Sequence, residues 1–140
     1  MKILDEIKQK FGDNLKSVDD VNEKRIYIEI EPGYLIKAAG LLFNNFNCRF
    51  STATAIDEKD YMEIIYHFSY DEEGIFFNLT VKTDPVKPRV DTLTGIIKGT
   101  KWIERELTEL MGIEFKGNED AKNLLLSGEY SGKKYPLRKR

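Results

Sequence analysis

Three consecutive stretches in the middle of the chain, 49–56, 61–70 and 75–83, are rich in β-branched and aromatic residues and are joined by the polar turns Asp57-Glu58-Lys59-Asp60 and Asp71-Glu72-Glu73-Gly74. Connections that short join antiparallel neighbours, so the three stretches read as a meander. Met62, Ile64, Tyr66, Phe68 and Tyr70 share one face of the middle strand, and Ile75, Phe77, Leu79 and Val81 share one face of the last. A sheet with one apolar face needs a helical layer against it.

The preceding residues supply that layer. Ile3, Leu4, Ile7 and Phe11 fall at helical spacing with Gly12 placed to end the helix. A polar stretch, 13–24, leads to Ile26, Ile28 and Ile30, which alternate with Tyr27 and Glu29 as in a half-buried strand. Pro32 suits a first helical turn, and Leu35, Ala38, Ala39, Leu42, Phe43 and Phe46 then mark a second amphipathic helix. The expected class is α+β: a two-layer sandwich of a mostly antiparallel four-stranded sheet packed by two or three helices, with an extended C-terminal arm.

Pro85 and Pro88 end the sheet region. Residues 1–90 are expected to form the α+β core, and 91–140 a helix over Thr100–Met111 plus an extended docking arm, all within a single domain. On that helix Trp102, Ile103, Leu107, Leu110 and Met111 lie in one arc, at 100° per residue. Glu106 falls inside the arc and needs a positive partner or backbone donors there.

The 140 residues carry 41% apolar and 33% charged side chains, enough for an ordinary core beneath a busy surface. No apolar stretch approaches the roughly 18 to 20 residues of a bilayer span, and Asp5 and Glu6 follow Met1 too closely for a secretory signal. One cysteine, Cys48, excludes an internal disulfide and cannot alone hold a structural zinc or an iron–sulfur cluster. A reducing, cytoplasmic setting is expected. Residues 133–140 hold five basic groups and no acid, leaving 17 basic and 24 acidic residues in a body near −7 beside a tail of +5. That distribution lacks the uniform basic footprint of a nucleic-acid binder.

Catalytic constellations are sparse. His67 is the single histidine, with no nucleophile motif beside it. Gly95 to Lys101 approximates a phosphate loop but reads Gly-Thr-Lys where Gly-Lys-Thr is required and lacks a spacer residue. The acidic turns lack the oxygen pattern and glycine of a calcium loop.

Trp102, Glu104, Arg105, Glu106, Gly112, Ile113, Phe115, Gly117, Asp120, Leu125, Tyr130, Gly132 and the ending Pro136-Leu137-Arg138-Lys139 follow one another in an order that resembles the 30 kDa subunit family of respiratory complex I and its relatives in energy-converting [NiFe] hydrogenases. Tyr66-His67 matches a Tyr-His pair of the family's middle strand. Thr108, Glu109 and Met111 depart from the family pattern, and Asn118-Glu119 stands where His-Pro is usual. These departures, with the short length, favour the Ech-type hydrogenase branch.

The resemblance implies a non-catalytic subunit that holds no cofactor and braces a large catalytic subunit and a small iron–sulfur subunit, on which the Fe–S clusters and the NiFe centre reside. It implies a place on the cytoplasmic side, peripheral to the membrane, and no nucleic-acid partner. Trp102, Glu104, Arg105, Glu106, Phe115, Pro136, Leu137, Arg138 and Lys139 are the expected partner-binding residues. Two rival readings stand beside it: a small enzyme using His67 as general base, and an RNA-binding module acting through the basic tail.

Overall fold

The computed structural model describes residues 2–126. Helix α1 (Lys2–Phe11) is followed by strands β1 (Leu15–Asp20) and β2 (Arg25–Ile30), helix α2 (Leu35–Gly40), strands β3 (Arg49–Asp57), β4 (Met62–Tyr70), β5 (Ile75–Thr83) and β6 (Arg89–Asp91), helix α3 (Thr100–Met111), strand β7 (Glu114–Lys116) and helix α4 (Glu119–Leu126). The α+β architecture and the meander are as the periodicity indicates. The last turns of the second helical segment widen into a π-turn, Leu41–Asn45, closed by Phe46 N–H donating to Leu41 O at 3.0 Å.

The main sheet has five strands rather than four, in the order β1-β2-β5-β4-β3. The polar stretch holds the extra one. Only Leu15 and Val18 of β1 are half-buried, because an edge strand is fixed by its ladder to β2 and gains little from burial. Every pairing is antiparallel except β2 with β5, where Ile26 lies beside Phe77 and Ile28 beside Leu79.

One face of the sheet carries Ile26, Ile28, Met62, Ile64, Tyr66, Phe68, Phe77, Leu79 and Val81, all in one core with α1, α2 and the buried side of α3. Val90, Leu93, Ile97, Ile113 and Phe115 join that same core, so the segment after Pro88 packs onto the sheet. The region read as an extended arm begins with β7, which pairs in parallel with β6, and continues as α4. The opposite face of the sheet presents Tyr27, Glu29, Glu63, His67, Asn78, Thr80 and Lys82, none of which belongs to the core cluster.

Candidate partner-docking face

Helix α3 spans the residues that the sequence indicates, but it is rolled about its axis. Its buried side is Thr100, Glu104, Leu107, Thr108 and Met111. Trp102 is 66% exposed and Glu106 is exposed, while Ile103 and Leu110 are half-buried. The expectation that Trp102 and Glu106 share the inward arc is thereby corrected. The helix turns Thr100, Glu104 and Thr108 inward beside Leu107 and Met111, where the loops around β6 and α4 deliver donors to the carboxylate.

Glu104 is 1% exposed, and its carboxylate is met by three donors. The Thr92 hydroxyl donates to Oε1 at 2.5 Å, Asn118 Nδ2 donates to the same oxygen at 3.0 Å, and the Leu93 backbone N–H donates to Oε2 at 2.8 Å. Burial pushes the carboxyl above its ordinary range, and the donors from Leu93, Thr92 and Asn118 pull the other way. One buried acid thus ties α3 to the loop after β6 and to the start of α4. Asn118 also accepts from the Ala121 N–H through Oδ1 at 3.2 Å, capping α4.

The C-terminal end of α3 is held equally firmly. Gly112 closes it in the left-handed region at φ 72°, and its N–H donates to Thr108 O. The Thr108 hydroxyl donates to Ile113 O at 2.7 Å, anchoring the chain as it leaves. Gly117, at φ 99°, lies so close to Thr92 that a Cβ there would sit 2.8 Å from Thr92 Cγ2. Tyr66, fully buried on β4, has no hydrogen-bond partner for its hydroxyl among the described residues. Burial, then the charges of Glu104 and Asp91, push its phenol well above the usual value.

With the Glu104 side held inward, α3 presents Trp102, Arg105, Glu106 and Glu109 outward. Lys101 lies 5.6 Å from the Trp102 ring centroid and pairs with Asp120 at 3.3 Å. Of the expected partner-binding residues, Trp102, Arg105 and Glu106 are brought together on this face. Glu104 and Phe115, which is 1% exposed, are instead buried within the chain's own core. Pro136, Leu137, Arg138 and Lys139 lie outside the described residues. Sequence reasoning misses Asn118 and Thr92; the signal available was the match of Thr100, Glu104 and Thr108 at i, i+4 and i+8, a polar stripe that needs polar company.

His67 is engaged on both ring nitrogens. Nδ1 donates to Asn78 Oδ1 at 2.6 Å, and the Thr54 hydroxyl donates to Nε2 at 3.1 Å. That assignment follows from the Asn78 amide, whose Nδ2 points to Ile26 O at 3.5 Å and leaves Oδ1 as the acceptor. The ring therefore stitches β3, β4 and β5 together. The Cys48 thiol is pushed up to about 12 by burial and then by Asp71. Among the described residues no group of three or more metal-ligating side chains converges, and no helix is long and apolar enough to cross a bilayer.

Residues 28–140 match the family described as "Respiratory-chain NADH dehydrogenase, 30 Kd subunit". A relative from Ruegeria pomeroyi, one of the subunits of its NADH-quinone oxidoreductase, is 30% identical over 128 residues, covering 86% of this chain and 62% of that protein. The chain spans about three-fifths of the length of the curated relatives it matches. Among solved structures, a chain of the membrane-bound sulfane sulfur reductase, an archaeal respiratory membrane complex, superposes with a TM-score of 0.78 at 22% identity, covering 99% of this chain and 82% of that one. A trypsin-resistant fragment of Nqo5 superposes with a TM-score of 0.67 at 19% identity, covering 84% and 95%. At such identities the structural likeness is one of fold.

Proposed function

We propose that this chain, which belongs to the respiratory-chain NADH dehydrogenase 30 kDa subunit family, is a non-catalytic bracing subunit of a membrane-associated energy-converting oxidoreductase. Its partners are the large catalytic subunit and the small iron–sulfur subunit of that complex, either an Ech-type hydrogenase or a complex I-like NADH dehydrogenase. The metal centres sit on those partners, and this chain lies peripheral to the membrane on its cytoplasmic side.

One observation carries the reading: α3 buries a carboxylate and two threonines while leaving its tryptophan 66% exposed. A helix free to satisfy only its own core would turn the indole inward, since burying a large apolar side chain is worth about 2 to 3 kcal/mol. Buried ties hold it the other way, and an exposed Trp beside an Arg is the pairing that interface hot spots favour.

Affinity purification of the tagged full chain from its native host tests the reading. Recovery of a complex I-like or hydrogenase-like large subunit, lost or sharply reduced in the Trp102→Ala and Arg105→Glu variants, is expected. The native chain emerging alone, or the variants recovering the large subunit undiminished, overturns it.

A further inference from the structure

We propose that the helix-free face of the sheet holds a second docking site, a groove floored by His67 that receives an acidic side chain of a partner protein. The proposal rests on the bracing role above and adds to it a second point of attachment, on the face of the sheet opposite the core.

The groove has a volume of about 300 Å³ and is lined only by strand residues. Arg25 and Tyr27 of β2 form one wall and Ser51 and Thr52 of β3 the other, with Phe76 of β5 beside them. Its floor is rigid and already satisfied, because the polar atoms of His67 and Asn78 are spent on each other, on Thr54 and on the Ile26 carbonyl. The walls are not. Phe76 stands 42% exposed although β5 is the central strand. The Arg25 guanidinium donates only to the Tyr27 hydroxyl, at 3.1 Å, and forms no ion pair among the described residues. The nearby acids are engaged elsewhere: Glu29 with Lys16 and Lys82, and Asp71 with Arg49.

The lining therefore holds one cation and no anion, with two hydroxyls facing an aromatic wall. A carboxylate fits this chemistry, since it takes a guanidinium bidentately and the hydroxyls as further donors. The backbone or stem that carries it lies against Phe76 and Tyr27. A single cation gives little purchase to a polyanion, and the five cations of residues 133–140 are repelled by Arg25, which leaves an Asp or Glu of another protein.

The test uses the complex assembled in the native host, with p-benzoylphenylalanine in place of Phe76, irradiated and mapped by mass spectrometry. A crosslink to a partner peptide containing Asp or Glu is expected, with its yield reduced about fivefold or more by Arg25→Gln. Arg25 is exposed, so the fold of that variant is retained and is checked by circular dichroism. No crosslink, a crosslink to a second copy of this chain, or a yield indifferent to Arg25→Gln overturns the groove. If the complex still depends on Trp102 while no groove crosslink forms, the groove alone fails; if the native chain recovers no complex, the bracing role fails with it.

Discussion

Asn118 donates to the buried carboxylate of Glu104 at 3.0 Å with one end of its amide and caps α4 at the Ala121 N–H with the other. The two residues are fourteen apart in sequence, and the contact couples the roll of α3 to the start of α4. Asn118 occupies the position at which the resembled family pattern has His.

Glu104→Ala leaves the Thr92 hydroxyl, the Leu93 N–H and the Asn118 amide without an acceptor in a buried site. A loss of about 3 kcal/mol in unfolding free energy is expected, read by urea denaturation. Glu104→Gln keeps the shape but sets an NH2 against a donor, and a loss of about 1 to 2 kcal/mol is expected. Equal stability of all three proteins would mean that the clasp contributes nothing.

Burial lifts the Glu104 carboxyl above its ordinary value of 4.5. A carboxyl whose folded value exceeds its unfolded one binds its proton more tightly in the native state, so its contribution to stability falls as pH rises from 4.5 upward through the raised folded value. The stability advantage of the native protein over Glu104→Gln should therefore shrink as pH rises above about 4.5, over the interval that paired urea titrations cover. An advantage that grows over that interval would show that the donors outweigh burial.

Trp102→Ala should change the stability of the isolated chain by no more than about 0.5 kcal/mol, because the indole is mostly in water. Its effect belongs to association, where loss of a buried anchor costs about 2 kcal/mol or more, roughly a thirtyfold weakening that surface binding to the purified large subunit can resolve. A fall in the isolated chain's melting temperature would instead place the ring in the core.

Gly117→Ala should destabilise the fold by about 1 to 2 kcal/mol, through both its positive φ and the approach of the new Cβ to Thr92 Cγ2. Thr92→Ser removes that methyl while keeping the hydroxyl that Glu104 needs. The double variant should recover part of the loss, and a double-mutant cycle by thermal unfolding measures the coupling.

The elements with a single wet face were legible from the sequence. Ile3, Ile7 and Phe11 of α1, the three isoleucines of β2 and the alternating residues of β4 and β5 are all where their spacing puts them, because one buried face imposes one period. Strand β1 was hidden, since the register shift between Leu15 and Ser17 breaks its alternation and only Leu15 and Val18 reach the core, so the strand exists through its pairing with β2. The limits of α3 were readable from its residues and its roll was not. Counting apolar residues favours the Trp102 side, and only the distant arrivals of Thr92, Leu93 and Asn118 make the Glu104 side the buried one. Phe115 is named as a partner contact through the family resemblance, and a three-residue strand gives too few residues to show the alternation of a core position.

The parallel union of β2 with β5 bears on synthesis as much as on stability. As the chain leaves the ribosome, the N-terminal hairpin must wait for some fifty further residues before its only neighbour on that side exists. Until Ile75–Thr83 emerges, three isoleucines and the undersides of two helices have no sheet to close upon. The nascent protein is then exposed to chaperones and to misassociation, and the last strand of the meander is the one whose arrival ends that interval.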